Sequence, residues 1–176
     1  MNIRRLVTWL GVVDGEELRK VIESVAGFLK EDENESIHFL LDSLGGFSQT
    51  CFAFYDLMRH VLKPNLVVYG TGDIGSAGVI IFLAAKKRYI TPNTVFFFHE
   101  IGRGFGVDGQ RRSVSEVEEI MKNMRETQEK YIAVICRETG GKLSKELLRQ
   151  WLKENKEVHA EEAVQFGLAQ EIIQEE

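Results

Sequence analysis

The sequence predicts an α/β fold: a mostly parallel sheet flanked by helices. Three observations carry this. Short apolar runs alternate with longer stretches of helical periodicity, giving a βαβαβ rhythm over roughly the first hundred residues. Two of the apolar runs, 36–41 and 66–70, pass into glycine-containing turns that each precede a helix. No Pro/Ser-rich linker and no internal repeat interrupts the 176 residues, which read as one domain (1–176) with a core spanning about 5–173.

Taken in order, residues 6–10 (Leu-Val-Thr-Trp-Leu) form the first strand. Asp14-Gly15-Glu16-Glu17 opens a helix with acidic residues in its first turn, and Leu18, Val21, Ile22, Val25 and Leu29 form its apolar stripe. The second strand, 36–41, leads into Asp42-Ser43-Leu44-Gly45-Gly46, and a second helix runs from about 48 to 62, stopped by Lys63-Pro64. The third strand, 66–70, precedes Gly72-Asp73-Ile74-Gly75-Ser76-Ala77-Gly78. The helix after it is apolar nearly all round and is expected at the centre of the molecule. Residues 88–90 and 94–98 are two more strands around Pro92-Asn93. Such parallel strands need right-handed crossovers.

Beyond His99 the texture changes. Gly102, Gly104, Gly106 and Gly109 make residues 100–110 a flexible stretch or a loosely held hairpin. A long helix over about 113–137 carries Val114, Val117, Met121, Met124, Tyr131 and Ile135 on one stripe. That stripe either packs on its own sheet or projects towards a partner subunit. Helices at 142–153 and 160–166 and a strand near 169–173 complete the chain.

Composition excludes several function classes. A net charge of −5 argues against nucleic-acid binding. No apolar run reaches the ~18 residues of a membrane span, and the basic, then apolar, start is too short for a signal peptide. Cys51 and Cys136 fall within helical patterns and read as free, buried thiols of a reducing compartment, so a cytoplasmic location is expected. The four histidines lack metal-ligand spacing, so neither metal nor other cofactor is expected.

Ser76 stands where a strand gives way to a helix, with unpaired backbone N–H groups close by. Serine is also a good helix cap, and that alone accounts for a lone serine there. His99 directly follows the apolar run Phe96-Phe97-Phe98, and in a parallel sheet residues just past the C-terminal strand ends converge on one edge. The turn 42–46 lies at the same edge, where its glycines can aim a backbone N–H outward. A serine nucleophile needs this set: a base in reach, a group orienting the base, and donors for the oxyanion. The G-x-S-x-G pattern of α/β-hydrolases is absent, because position 74 is isoleucine.

Four segments, in order and broadly in register, resemble the ClpP serine peptidases: Asp42-Ser43-Leu44-Gly45-Gly46, Gly72-Asp73-Ile74-Gly75-Ser76-Ala77-Gly78, Thr91-Pro92-Asn93 with Phe98-His99, and 160–168 (Ala-Glu-Glu-Ala-Val-Gln-Phe-Gly-Leu). The resemblance implies a ClpP/crotonase-like ββα spiral in which the segment 100–139 comprises the glycine-rich loop and a long, protruding, handle-like helix. It implies Ser76 as nucleophile, His99 as general base, the N–H groups of Gly46 and Ala77 as oxyanion hole, and an extended peptide bound near Gly45 and Phe47 and along Gly102 to Val107. Substrates are then peptides or unfolded proteins, handled by a homo-oligomer. The family's aspartate position falls on Asn155, with Glu154 and Glu157 as alternatives; an amide can orient an imidazole without stabilising its charge. Leu44 and Ile101 replace prolines of the family's loops. The chain starts at what resembles the first core strand, so docking to an ATPase unfoldase is left open. Two other readings stay open: a catalytically silent subunit, and an acyl-CoA enzyme of the crotonase type.

Overall fold

The computed structural model of the chain describes residues 4–102 and 111–174. Most of the glycine-rich stretch after His99, with the peptide contacts expected beyond Gly102, lies outside the described residues. Strands β1 (Leu6–Val13), β2 (Ile37–Gly46), β3 (Leu66–Gly75), β4 (Lys87–Ile90) and β7 (Glu171–Ile172) form a parallel array in the order β1-β2-β3-β4-β7. Between them run α1 (Gly15–Glu31), α2 (Ser48–Asp56), which continues as a π-helical turn over Leu57–Leu62, and α3 (Ala77–Leu83). The second half holds α4 (Val114–Glu138), α5 (Lys145–Glu154) and α6 (Ala160–Gln165). The expected α/β class with a mainly parallel sheet is the one observed.

The sheet divides along β3. Its first half, Val67 to Gly70, pairs with β4, whereas Asp73 to Gly75 pair in parallel with β5 (Val95–Phe97). The turn between β4 and β5 makes the transfer possible: the buried Thr94 hydroxyl donates to Gly70 O at 2.8 Å, and Thr91 N–H donates to the same carbonyl at 3.1 Å. Two expectations needed extension. β2 and β3 both continue through the turns read as loops, because Ser43 still pairs with Ile74. A strand absent from the sequence reading, β6 (Glu157–His159), lies antiparallel to β5.

All seven residues of α3 are buried, as its uniformly apolar sequence requires. They meet Phe39, Phe54, Phe96 and Trp9 in a continuous apolar core. Asp14 caps α1, its carboxylate accepting from Glu16 and Glu17 N–H at 2.9 Å each. The stripe on α4 divides in two: Tyr131, Ile132, Val134 and Ile135 are buried, while Val114, Val117 and Met121 at the other end are exposed. Packing on the chain's own core therefore accounts for the C-terminal half of the stripe and not for the N-terminal half.

At the edge of the sheet opposite the strand C-termini, the buried Arg88 guanidinium donates to four carbonyl oxygens, those of Ala85, Glu138, Gly167 and Leu168. The Glu138 carboxylate nearby accepts from Tyr55 and Arg59. Burial lowers the affinity of Arg88 for its proton, and Glu138 partly restores it.

Both cysteines are free. Cys51 is buried, but Cys136 is only partly so, because it lies where α4 meets the exposed flank of α5. Burial pushes the Cys51 thiol up to about 12, from an ordinary value of 9.0. Folded protein at pH 8 should therefore take up one equivalent of iodoacetamide, on Cys136, and two only after denaturation; mass spectrometry of the labelled chain checks this. Since the unfolded thiol ionises near 9 and the folded one near 12, the contribution of Cys51 to stability is complete below pH 9 and is lost as pH rises towards 12.

Candidate active site

Ser76 links β3 to α3 with φ 49° and ψ −121°, a conformation L-residues rarely adopt. Strain of this kind costs on the order of 1–3 kcal/mol and persists only where neighbours enforce it. Here they do. Ser76 N–H donates to Phe97 O at 2.9 Å, and Ser76 O accepts from Val79 N–H and from the Tyr131 hydroxyl, both at 3.1 Å. Although Ser76 occupies the cap position, its side chain makes no capping hydrogen bond. The helix-cap explanation of this serine therefore does not hold in the structure, and Oγ is left available.

The turn after β2 packs directly onto this point. Gly45 has φ +108°, and a Cβ there would stand 2.7 Å from Ser76 Cβ and 3.0 Å from Ala77 N. No other residue type lets the two strand ends approach this closely. The buried Ser43 hydroxyl braces the turn, donating to Gly11 O and accepting from Gly45 N–H at 3.2 Å. Phe47 N–H donates to Val13 O at 2.8 Å, so the preceding Gly46 N–H turns away from β1. Ala77 is the first residue of α3, so its N–H has no acceptor within the helix. Phe47 itself is exposed.

His99 follows β5 and lies against the Phe97 ring, with centroids 5.5 Å apart. Its Nδ1 is 2.7 Å from Glu100 O. A carbonyl only accepts, so Nδ1 carries the proton and Nε2 presents a lone pair. Asn155 sits elsewhere in the hydrogen-bond pattern. It ends α5 in the left-handed region, φ 53° and ψ 53°, and is exposed; no hydrogen bond joins it to His99 among the described residues. Yet the backbone ladder runs towards it. Phe97 pairs with Glu157 and Phe98 N–H donates to Lys156 O at 2.9 Å, where the ladder ends, because Lys156 N–H donates instead to Trp151 O at 3.1 Å; Asn155 is the next residue along. Glu157 faces Phe97 across the ladder, and Glu154 belongs to α5.

Ser76, Ala77, His99, Gly46, Phe47 and Tyr131 line one cavity of about 740 Å³, and Asn155 does not reach it. A second cavity, about 480 Å³, is lined by Arg59, Lys63, Lys86 and Lys87 and contains none of these groups. Among the described residues no cluster of histidine, cysteine or carboxylate side chains could hold a metal ion, and no helix is long and apolar enough to cross a membrane. Sequence reasoning brought Ser76, His99, Gly45, Gly46, Phe47 and Ala77 to one edge. It missed the Tyr131 hydroxyl, which it treated as one more apolar position on α4. The signal was present, because a buried tyrosine must find a partner for its O–H.

The chain resembles known proteins along its whole length. The sequence model of the Clp protease family matches residues 2–176. ATP-dependent Clp protease proteolytic subunit 2 of Pseudomonas aeruginosa is 30% identical over 176 residues, 98% of this chain and 82% of that protein. The proteolytic subunit 3 of Rhizobium etli is 28% identical over 93% of this chain and 80% of its own. Among solved structures, a Listeria monocytogenes ClpP1 variant with one asparagine changed to aspartate superimposes with a TM-score of 0.83 at 25% identity, covering 97% of this chain and 92% of that one.

Gly45→Ala tests the packing at this edge. Added strain at positive φ and overlap with Ser76 together are expected to cost about 2–4 kcal/mol, read as a lowered midpoint in urea unfolding.

Proposed function

The chain belongs to the Clp protease family, and we propose that it is a serine endopeptidase that cleaves peptides or unfolded proteins through an acyl-enzyme. The observation that carries this reading is the Ser76 backbone: a strained serine at a strand–helix junction, its hydroxyl free, in one cavity with His99. In the proposed reaction Ser76 Oγ attacks the scissile carbonyl carbon and its proton passes to His99 Nε2. The carbonyl oxygen becomes an oxyanion facing the N–H groups of Gly46 and Ala77, donors typically worth about 10²–10³ each in rate. His99 returns the proton to the leaving amine. Water then attacks the acyl group by the same route and releases Ser76. The peptide lies extended beside Gly45 and Phe47 as an added strand.

The assembly belongs to the same proposal. Val114, Val117 and Met121 give the free half of α4 an apolar face suited to a second copy of the chain. The relatives are named as proteolytic subunits of ATP-dependent proteases, and no step of the proposed reaction on a peptide consumes ATP.

A second reading, a weakly active or silent subunit, is favoured by one observation: the Nδ1 partner of His99 is a backbone carbonyl and not a carboxylate. Two experiments separate the readings. A fluorophosphonate should label Ser76 in the folded protein, and Ser76→Ala should abolish both labelling and peptide cleavage. Asn155→Asp should raise kcat, by up to the ~10⁴ that a charged triad partner supplies. Absence of labelling, with peptide cleavage indifferent to Ser76→Ala, would leave the silent-subunit reading in place.

A further inference from the structure

We propose that Tyr131 is a positioning residue of the oxyanion hole: its hydroxyl, held by α4, fixes and polarises the Ser76–Ala77 peptide so that the Ala77 N–H points at the developing charge. The inference rests on the peptidase reading, and adds to it a residue that touches neither substrate nor base.

A peptide unit is planar and trans, with its C=O and N–H in opposite directions. Whatever holds the carbonyl of Ser76 therefore sets the direction of the Ala77 N–H. Two donors hold it. Val79 N–H belongs to the first turn of α3, so it moves with that helix. The Tyr131 hydroxyl, at 3.1 Å, is the donor from outside α3 and the one that ties the peptide to a separate element. The need for such a tie is local. Ser76 has φ 49° and ψ −121°, and with ψ outside the common wells the peptide after it has no intrinsic preference for this orientation. Accepting a second hydrogen bond also draws electron density to the carbonyl oxygen, which makes the Ala77 N–H a stronger donor.

The environment of Tyr131 suits a fixed donor. The ring is 2% exposed, packed on the buried half of α4. Burial raises its phenol well above the ordinary value, so the proton stays in place at any working pH. Three residues before it on the same helix, Gln128 accepts from Ile101 N–H at 3.1 Å, two residues after His99. One helix thus holds the backbone beside both reacting side chains.

Tyr131→Phe removes one O–H and keeps the ring. Its crystal structure should show the Ser76–Ala77 peptide rotated or in two orientations. Its kcat for a peptide amide should fall about 10- to 100-fold, with KM within twofold and the pH profile unmoved, since His99 is untouched. A peptide boronate, which places an oxygen in the hole, should bind weaker by the same factor, while the matching peptide without boron binds as before. If the phenylalanine variant loses its native melt, Tyr131→Met serves with the same expectations. A single unrotated peptide, or an unchanged boronate affinity beside an active parent, overturns the proposal. A parent that neither cleaves peptides nor takes the boronate refutes the peptidase reading instead. The peptide orientation, read without turnover, still decides the role of Tyr131 in that case.

Discussion

The hydrogen bond from Ser76 N–H to the Phe97 carbonyl, 2.9 Å long, is the point on which this edge of the molecule is organised. It is the last rung of the parallel pairing between β3 and β5, and it comes one residue after Gly75 and two before His99. Because the rung is parallel, both chains leave it in the same direction, so the serine and the histidine emerge on one side of the sheet. The same rung holds Ser76 at a positive φ, and α3 starts directly after it with Ala77 lining the cavity. A typical hydrogen bond is worth only about 1 kcal/mol net, less than the strain it opposes. The conformation therefore depends on several ties acting together: Phe97 at the N–H, Val79 and Tyr131 at the carbonyl, and the Gly45 backbone pressed against the side chain.

Close packing explains why the ties can act together. Gly45 leaves room for Ser76, and Gly78 leaves room for β2, since a Cβ there would meet Ser43 O at 2.6 Å. Ser43 in turn fixes Gly45 N–H through its hydroxyl. Small residues at 43, 45, 75 and 78 are thus one steric requirement, imposed by two strand ends and a helix meeting at a single point.

Much of this was legible in the sequence, for identifiable reasons. The strand–helix rhythm is a matter of apolar period, and α3 is apolar on every face because every face is buried. That Ser76 and His99 line one cavity is in keeping with the parallel topology, which brings residues just past the strand ends to one edge. What was not legible fell into three kinds. Ser43 and Asp73 lie in strands that look like loops, because their pairing is set by neighbours and not by their own apolar character. β6 has three residues, Glu-Val-His, too few to show a period. The Tyr131 hydroxyl was hidden by its own ring, which fits an apolar stripe as well as phenylalanine does.

Asn155 is placed by the backbone and not by its own chemistry. The β5–β6 ladder, continued by the Phe98-to-Lys156 hydrogen bond, ends one residue short of position 155 whatever side chain stands there. In this chain that side chain is an amide on a left-handed helix end, a conformation asparagine accepts more readily than most residues. The imidazole then finds its Nδ1 acceptor in the nearer carbonyl of Glu100. Either neutral acceptor, carbonyl or amide, selects the tautomer that leaves Nε2 free, which is the part of the triad that geometry requires. Neither balances the charge of an imidazolium. A difference of about 10⁴ in rate is about 5.5 kcal/mol of transition-state energy, far above the ~1 kcal/mol of one hydrogen bond. On the proposed peptidase reading, the charge at position 155 governs how fast such a site can work.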